Sequence, residues 1–476
     1  MHMVIDGQPR PATCDEWLPV LNPATEEVLA QVPRGQSDDI AAATDAAARA
    51  FPCWRDASPA ARGRALSGLA ALLDADREGL ARLLAQETGN ALRTQARPEL
   101  SSAIDLLHYF AGAAHEVKGE TVPLGPGVLN FTVRQPMGVV GAMTPWNAPV
   151  QLAVVKIAAA IVTGNTVVLK ASEEAPLTVL RLASLAQQVL PPGVLNVVTG
   201  LGHEAGAALL AEPRIAKLSF TGSTRVGRMV MTAAAERIVP VSLELGGKSP
   251  AVVFPDSDDD ETAMGVINGM RFFRQGQSCT AGSRLYVHDS IYDSFLTRLV
   301  TKLDELVVGD PLDEATDMGS IVNAKQFEQV RSYVLNAMAG GAELVRGDYP
   351  QSPPPGPGFY LKPTVLTNVG HESPVSCEEI FGPVMVIHRW RDVDEVVRLC
   401  NASTYGLAAY VWTRDVSTAF DVGLRLEAGW VQINRGLGQL PGISYGGVKS
   451  SGIGGEFSVE TAIEAFTHRK TLTVGI

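Results

Sequence analysis

The stretch GVVGAMTPWNAPVQLAVVKIAAAIVTGNTVVLK, residues 138–170, places two short apolar segments on either side of a longer apolar segment. This alternation of strand-length and helix-length segments continues to residue 245. The predicted strands are Val139 to Met143, Thr166 to Lys170, Val194 to Val198, Ala216 to Phe220 and Val241 to Leu245. The predicted helices that follow cover 176–189, 203–211 and 225–236. Strand–helix alternation predicts a parallel sheet with helices on its faces, and such sheets bind nucleotides at the carboxyl ends of their strands.

The flanking regions extend the predicted α/β architecture. Residues 37–115 have helical periodicity, with Ser58-Pro59 predicted to begin a helix and Gly89 to end one. Residues 119–140 are predicted to form a hairpin or β-arm from extended segments around 121–123 and 129–133. After residue 247 strands are predicted again, at 251–254, 284–287, 384–388 and 408–412. The run PPPGPG at 353–358 is predicted to be an exposed loop.

The composition is that of a globular chain of 476 residues with 46% hydrophobic residues and a net charge of -12. The acidic balance argues against a nucleic-acid partner, because phosphate binding needs a basic face. Residues 1–7 do not resemble a signal peptide, and no apolar run reaches the roughly 18 residues of a membrane span. The five cysteines and eight histidines lack metal-ligand spacing, so no metal site and no disulfide framework are predicted. A reducing, cytoplasmic location without membrane contact is expected.

Cys279 and Glu244 are candidate catalytic residues because each lies close to glycines that leave room for a substrate. The segment GQSCTA, residues 276–281, can present a thiol to a cleft, although a lone cysteine is more often a buried apolar residue. Glu244 ends a predicted strand before Gly246-Gly247 and can serve as a general base if burial raises its pKa. A salt-bridged glutamate beside a Gly-Gly turn is the equal alternative.

The loop TPWNAP, residues 144–149, holds Asn147 between two prolines, where a strand passes into a helix. An asparagine amide is a neutral donor that can stabilise a developing oxyanion, an effect typically worth ~10²–10³ in rate. The alternative is an asparagine in an ordinary proline-rich turn.

Two further segments suit a dinucleotide. GNTVVLKASEE, residues 164–174, ends a strand at Lys170, and Glu173 follows at a spacing that can bind ribose hydroxyls or form a surface ion pair. FTGSTRVG, residues 220–227, leads a strand through a glycine turn into a helix N-terminus, where a pyrophosphate is stabilised. Its glycine spacing differs from the GxGxxG fingerprint, so the motif is weak when taken alone.

The order of these motifs resembles the hydrolytic branch of the aldehyde dehydrogenase superfamily over nearly the whole chain. The segments that carry the resemblance are PWNAP, GNTVVLKASEE, FTGSTRVG, LELGGKSP, GQSCTAGSR, EEIFGPV, NASTYGLAAYVWT and GGVKSSGIGGE. The resemblance implies a Rossmann-like cofactor domain, an α/β catalytic domain and a small β oligomerisation arm. The expected limits are 1–115 with 137–246 for the cofactor domain, 247–451 for the catalytic domain, and 116–136 with 452–476 for the oligomerisation arm and tail. A homodimer or homotetramer is implied.

The resemblance also implies a role for each site residue. Cys279 would be the nucleophile, Glu244 the base that activates water, Asn147 the oxyanion donor and Lys156 a supporting residue, with Glu456 more structural. The residues implied to bind the cofactor are Thr144, Trp146, Lys170, Ser172, Glu173, Gly222, Ser223, Glu379 and Phe381. The implied reaction oxidises a small-molecule aldehyde to the acid with NAD(P)+ through a thiohemiacetal and a thioester on Cys279.

The sequence says less about which cofactor and which aldehyde the chain prefers. Glu173 should repel a 2′-phosphate, so NAD is expected, with NADP possible. The residues implied to line the entrance are Ala148, Leu152, Val155, Phe273, Leu437 and Gln439. Their mostly small or aliphatic character favours medium or large aldehydes, while Arg274 and Arg435 leave a semialdehyde open. Tyr445, in Ser444-Tyr445, stands where relatives usually have the phenylalanine of Pro-Phe.

Two alternative functions remain at this point. One is a CoA-acylating semialdehyde dehydrogenase of the same fold, in which CoA rather than water attacks the thioester; Glu244 argues against it. The other is a non-catalytic scaffold, because a fold alone does not establish an activity. The presence of Cys279, Glu244 and Asn147 together argues against the scaffold.

Overall fold

The computed structural model describes residues 1–349 and 357–476, which form an α/β fold. The strands within these residues are β1 Met3–Ile5, β2 Gln8–Arg10, β3 Trp17–Leu21, β4 Val28–Pro33, β5 Val128–Pro136, β6 Val139–Met143, β7 Thr166–Lys170, β8 Leu195–Val198, β9 Ile215–Thr221, β10 Val241–Glu244, β11 Pro250–Val253, β12 Arg284–His288, β13 Glu343–Arg346, β14 Thr364–Thr367, β15 Val384–Trp390, β16 Tyr405–Gly406, β17 Ala408–Trp412, β18 Trp430–Ile433, β19 Val448–Lys449, β20 Gly452–Ile453 and β21 Thr467–Gly475. Residues 353–356 of the predicted PPPGPG loop lie outside the described residues.

The α-helices of the described residues are α1 Ser37–Arg55, α2 Pro59–Ala75, α3 Arg77–Thr88, α4 Arg97–Gly112, α5 Pro149–Val162, α6 Leu177–Ala186, α7 Ala207–Ala211, α8 Thr224–Arg237, α9 Asp260–Gly269, α10 Tyr292–Asp304, α11 Ala324–Ala339, α12 Pro374–Cys377, α13 Val393–Asn401, α14 Val416–Arg425 and α15 Val459–Phe466. The predicted start and stop signals are confirmed: Ser58 caps α2 and Gly89 ends α3 in a left-handed conformation. None of these helices combines the length and the apolar character needed to cross a bilayer.

The first sheet has the strand order β2-β1-β8-β7-β6-β9-β10-β20, and its central strands from β8 to β10 are parallel. The five strands predicted between residues 138 and 245 are confirmed to within one residue at each end. Val167 and Leu169 of β7 pack into one core, and Val168 packs into a second core on the opposite face. Burial on both faces explains why these strands are apolar throughout rather than alternating.

Helix α5 covers one face of this sheet and leads away from the PWNAP loop. Its sequence is apolar except at Gln151 and Lys156, and all of its residues except Leu152 are buried. A helix that is apolar all round is stable only inside a core. Its first backbone amides, those of Val150 and Gln151, donate to the buried Glu99 carboxylate at 3.1 and 3.4 Å. This carboxylate satisfies amides that the helix itself leaves without partners.

The second sheet has the order β13-β14-β15-β12-β11-β17-β18 and is parallel apart from the edge strand β13. The strands predicted after residue 247 are confirmed as β11, β12, β15 and β17. Its two faces bury separate cores: Leu285 and Val287 of β12 point into one, and Tyr286 points into the other. The GQSCTA segment lies immediately before β12, so this sheet fixes where the cysteine loop ends.

The arm contains a short hairpin contact, as predicted, and a second, longer pairing. Around the bridge from Thr121 to Phe131, the amide of Val122 donates to the carbonyl oxygen of Asn130 at 3.1 Å. Strand β5 also pairs antiparallel with β21 along nine residues, from Val128–Gly475 to Pro136–Thr467. A local turn pattern cannot reveal a partner strand more than 300 residues away.

The C-terminal tail also divides differently from the expected 452–476 unit. Strand β20 pairs antiparallel with β10 and so belongs to the first sheet. Phe457, just before α15, and Phe466, its last residue, are buried in the same core as α5. Of the expected 452–476 unit, only β21 forms the arm with β5. The place of β20 in the first sheet could not be predicted, because a two-residue edge strand carries no periodicity that a sequence pattern can detect. The remaining domain limits stay a prediction.

Candidate active site

The site is organised by the carboxyl ends of four adjacent parallel strands. Met143 at the end of β6 is in register with Lys170 on β7 and with Phe220 on β9, and Thr221 of β9 is in register with Glu244 on β10. Residues that are up to 101 positions apart in sequence, Met143 and Glu244, therefore end at the same edge of the sheet. The segments that leave this edge are the ones singled out from the sequence, including the PWNAP loop and the turn at Gly222.

Glu244 lies at this edge with a fully buried side chain. Neither of its carboxylate oxygens has a hydrogen-bond partner among the described residues. Burial raises the pKa of Glu244 well above its ordinary value, the nearby Glu456 raises it further, and Lys156 opposes the shift. An unpaired buried carboxyl group of this kind holds a proton at rest and can exchange it with a reactant or a water.

Two glycines bring the cysteine loop to Glu244 and fix its shape. A Cβ on Gly247 would lie 2.3 Å from the carbonyl oxygen of Cys279, so only glycine allows this approach. Gly276 has a φ of +64°, and a Cβ there would lie 2.1 Å from the carbonyl oxygen of Gly382. The GG of LELGGKSP and the G of GQSCTA are therefore required by contacts between distant segments.

Cys279 is half-buried, and its Sγ lies 3.5 Å from the hydroxyl oxygen of Tyr445. Burial raises the pKa of the Cys279 thiol to about 11, although the Tyr445 hydrogen bond acts in the opposite direction. The cofactor-free site therefore holds a neutral thiol at neutral pH. Because the thiolate is the nucleophilic form, attack requires a group that takes the proton.

Asn147 reaches the same loop from the first sheet. Its side-chain Nδ2 donates to the carbonyl oxygen of Gln277 at 2.9 Å, two residues before Cys279. The Asn90 side chain donates to the backbone oxygen of Asn147 at 3.2 Å and holds the turn. An amide nitrogen carries two hydrogens, so the second hydrogen of Asn147 is left for an oxygen of a substrate.

Lys156 does not touch Cys279 but forms a buried charge cluster behind the site. Its Nζ lies 2.9 Å from Glu456 and donates to Ser219 at 2.8 Å, and Ser219 donates to Glu456 at 2.6 Å. Although burial alone would raise the pKa of Glu456, Lys156 and Lys217 hold it below its usual value. This anion is the charge that adds to burial in raising the pKa of Glu244.

The residues expected to bind adenosine are present at the ends of β7 and β9. Lys170 and Glu173 form an ion pair at 2.5 Å, and the backbone amide of Gly202 donates to Glu173 at 3.2 Å. Burial would raise the pKa of Glu173, but Lys170 and these hydrogen bonds lower it below its ordinary value, so the carboxylate stays charged. Ser172, beside this pair, is buried and accepts from the amide of Glu174.

The turn after β9 presents the N-terminus of α8. Ser223 caps the helix through the amide of Val226 at 3.4 Å. A Cβ on Gly222 would lie 2.5 Å from the ring of Phe220, so a larger residue in this turn would force that ring to move. The buried hydroxyls of Thr144 and Thr221 have no hydrogen-bond partner among the described residues. Unused polar groups beside a helix N-terminus fit the phosphates and ribose of a dinucleotide.

The EIFGP segment joins both sheets at the site. Glu379 accepts from the backbone amide of Gly247 at 3.0 Å, and burial raises the pKa of Glu379 to about 7. The rings of Phe381 and Trp146 meet edge to face at 5.3 Å. Glu379 thus contacts the Glu244 segment, and Phe381 contacts the PWNAP loop through Trp146.

Sequence analysis missed two buried groups that support the site, Asn90 and Glu99. Glu99 holds the start of α5 and lies 3.6 Å from Arg274, which precedes the cysteine loop and also donates to Gln95 at 3.0 Å. Both residues belong to a helical region in which no local motif marks them. A buried acid within the α4 periodicity was the only available signal.

A parallel sheet with these groups at its carboxyl edge, in contact with a cysteine loop from a second sheet, is the architecture of a dinucleotide-dependent α/β enzyme. The model of the aldehyde dehydrogenase family matches residues 10–472. The chain therefore belongs to the aldehyde dehydrogenase family, as its motifs indicated. It oxidises aldehydes to carboxylic acids with NAD(P)+.

Individual relatives are similar to this chain over nearly its full length. A phenylacetaldehyde dehydrogenase of Pseudomonas fluorescens is 43% identical over 99% of this chain and 95% of its own. The NAD+ complex of an aldehyde dehydrogenase from Bacillus cereus has a TM-score of 0.97 at 38% identity, covering 100% of this chain and 96% of that one. An NADP-dependent enzyme of E. coli has a TM-score of 0.96 at 37% identity, covering 100% and 98%.

The raised pKa of Glu244 predicts a pH-dependent stability effect. As the pH rises above the ordinary glutamate value of 4.5, the unfolded chain releases this proton before the folded chain does, so folding loses free energy up to the folded pKa. Glu244→Gln cannot ionise. The Tm of the variant minus that of the wild type should therefore increase as the pH rises above about 4.5.

The measurement is thermal unfolding at matched ionic strength, with Glu236→Gln as a control because Glu236 is exposed on α8. The Tm difference for this control should not follow the same trend. A Tm difference for Glu244→Gln that stays constant or falls with pH would contradict the raised pKa.

Proposed function

We propose that Cys279, Glu244 and Asn147 carry the reaction of this chain, with Cys279 as nucleophile and Glu244 as the base that activates water. The observation that carries the proposal is the buried carboxyl group of Glu244, which has no hydrogen-bond partner among the described residues and approaches the Cys279 loop through Gly247. A structural glutamate would be expected to be paired in such a place.

The chemistry of these residues follows from their protonation. Once its resting proton has passed to solvent, the Glu244 carboxylate takes the proton of Cys279 and releases it to solvent. Sγ bonds to the aldehyde carbon, and the oxygen of the resulting thiohemiacetal accepts from the free N–H of Asn147. A nicotinamide, when bound, would accept the hydride that leaves this carbon, so that a thioester remains on Cys279. Glu244 then takes a proton from water as the water oxygen bonds to the thioester carbon. The C–S bond breaks, the acid leaves, and Glu244 returns the proton to Sγ, which restores the thiol.

Glu173 supports a preference for NAD over NADP. Its carboxylate is kept charged by Lys170 and lies at the end of β7, where ribose hydroxyls are bound in dinucleotide folds. A hydroxyl can donate to this carboxylate, whereas a 2′-phosphate would place a like charge against it. The cofactor residues proposed from the motifs are retained here, with Thr144 and Thr221 available as further donors.

The proposed substrate is a medium or large apolar aldehyde, aromatic or long aliphatic. Leu152 is the residue of α5 that is not fully buried, and it follows Asn147 by about one turn, so it can meet the substrate's side chain. Arg274 is engaged with Glu99 and Gln95, which argues against its binding a semialdehyde carboxylate. The relative named for phenylacetaldehyde supports the same size class.

We propose a cytoplasmic homodimer or homotetramer assembled through the β5–β21 arm. Its two-stranded ribbon exposes Leu129, Leu472 and Val474. The outer edge of β21 can extend a sheet in another subunit, whereas the outer edge of β5 is bonded to residues 120–122. Leu472→Asp with Val474→Asp should lower the molecular mass measured by light scattering, whereas Val28→Asp, on an exposed strand elsewhere, should not. An unchanged mass for the arm variant would contradict this role.

The catalytic proposal predicts that Cys279→Ala abolishes NADH formation without added CoA. The wild type and the variant are compared on phenylacetaldehyde, benzaldehyde, hexanal, succinic semialdehyde and acetaldehyde. The wild type should have a kcat/KM at least about tenfold higher for the apolar larger aldehydes than for acetaldehyde, a difference of about 1.4 kcal/mol. Turnover that survives in Cys279→Ala would exclude this nucleophile. A requirement for CoA would favour the acylating alternative. A kcat/KM that is higher for acetaldehyde than for the larger aldehydes would contradict the proposed substrate class.

The cofactor proposal predicts that Glu173→Gln shifts preference towards NADP. Removing the charge relieves the repulsion of a 2′-phosphate, while Lys170 stays to attract it. The ratio of kcat/KM for NADP to that for NAD should rise about tenfold or more. Glu174→Gln, which changes the neighbouring carboxylate, is the matched control. An equal change in both variants would locate the ribose elsewhere.

A further inference from the structure

We propose that the hydroxyl of Tyr445 is a hydrogen-bond donor to the sulfur of Cys279, a positioning group that fixes the sulfur and favours its thiolate. This inference deepens the proposed function, because it rests on Cys279 being the nucleophile. The substrate would meet this hydroxyl beside the reacting sulfur. No motif in the chain marks Tyr445 for such a role.

The ring of Tyr445 is held so that its hydroxyl stays at the sulfur. The hydroxyl oxygen lies 3.5 Å from Sγ, and the side chain is buried. Edge-to-face contacts hold the ring on two sides, with Phe457 at 4.9 Å and with Trp430 at 5.7 Å between ring centroids. Because a tyrosine has only two side-chain torsions, a ring packed in this way defines the position of its oxygen.

The loop that carries Tyr445 also borders the proposed base. A Cβ added to Gly446 would lie 3.8 Å from a carboxylate oxygen of Glu244. The same short segment thus contacts the nucleophile through the Tyr445 side chain and approaches Glu244 through the next residue. A phenol and a glycine at these adjacent positions leave the space between Cys279 and Glu244 for substrate or water.

The charges around the sulfur explain why a donor matters there. Burial, Glu379 and Glu244 all raise the pKa of the Cys279 thiol, whereas Tyr445 and Arg274 lower it. Arg274 also forms an ion pair with Glu99, at 3.6 Å, so its charge does not act on the sulfur alone. The pKa of Tyr445 itself is raised by burial, by Cys279 and by Glu244, with Gln439 opposing, so the phenol keeps its proton and donates it. A donor to a charged acceptor forms a stronger bond than a donor to a neutral one, so this contact favours the thiolate.

A comparison with phenylalanine shows what the hydroxyl of Tyr445 adds. A phenylalanine would fill the same space between Trp430 and Phe457 but would have no donor. The packing of the ring therefore does not require the hydroxyl, whose contact at the site is with the sulfur of Cys279. Its effect should therefore be on the ease of forming the thiolate and not on whether the reaction occurs.

The test compares alkylation of Cys279 by iodoacetamide in wild type and Tyr445→Phe without cofactor, from about pH 7 to about pH 9. Peptide mass spectrometry separates Cys279 from the other cysteines. Below the thiol pKa the rate follows the thiolate fraction, so an upward shift of about one unit should slow alkylation about tenfold at every pH. Tyr349→Phe removes another buried hydroxyl, one bonded to Thr364 at 2.7 Å, and should leave the rate unchanged.

A second readout separates donation from a structural effect. The S–H stretching band of Cys279, obtained as the infrared difference between each protein and its Cys279→Ala counterpart, should shift in Tyr445→Phe and stay in place in Tyr349→Phe. If Tyr445→Phe does not fold, 3-fluorotyrosine at position 445 keeps the size and makes the phenol a stronger donor, so it should speed alkylation.

Unchanged alkylation and an unchanged S–H band in a folded Tyr445→Phe would overturn the inference. So would slower alkylation with 3-fluorotyrosine. Both measurements report on the thiol itself rather than on turnover. A Cys279→Ala protein that still oxidises aldehydes would refute the proposed function while leaving the contact between Tyr445 and Cys279 measurable.

Discussion

The register of β7, β6, β9 and β10 is the constraint on which the rest of the site depends. Parallel pairing ends all four strands at one edge, and each strand continues into a segment that carries a functional group. A shift of one residue in any pairing would reverse which side chains face each core. The apolar residues of these strands, buried on both faces, make such a shift costly.

Close backbone contacts and buried charges then join the two sheets into one site. Gly247 lets the Glu244 segment touch the backbone of Cys279, while Glu99 connects the start of α5 to Arg274. The result is a site in which the proposed nucleophile and the proposed base are both held neutral at rest, because burial raises the pKa of Cys279 and of Glu244. Reaction therefore depends on moving protons inside a dry site, and small contacts such as that of Tyr445 have a large influence.

Sequence patterns predicted the strands and the positions of Cys279, Glu244 and Asn147 because each is encoded locally, by an apolar run or by a glycine or proline beside it. The resemblance placed the segment around β5 in one arm with the C-terminal tail. No local pattern gave the register of β5 with β21 or the roles of Asn90 and Glu99, which arise from contacts between distant segments. The departure at Tyr445 was visible in the sequence, but its meaning depends on a 3.5 Å contact that only the folded chain defines.

The most direct test of the central claim is the mass of the chain trapped during turnover. Glu244→Gln is mixed with NAD+ and phenylacetaldehyde, quenched in acid and measured intact, with the modified residue located by peptide mapping. The account predicts one acyl group per chain on Cys279, formed together with one equivalent of NADH and hydrolysed slowly. Full steady-state turnover without an adduct, or an acyl group on another residue, would contradict the division of roles between Cys279 and Glu244.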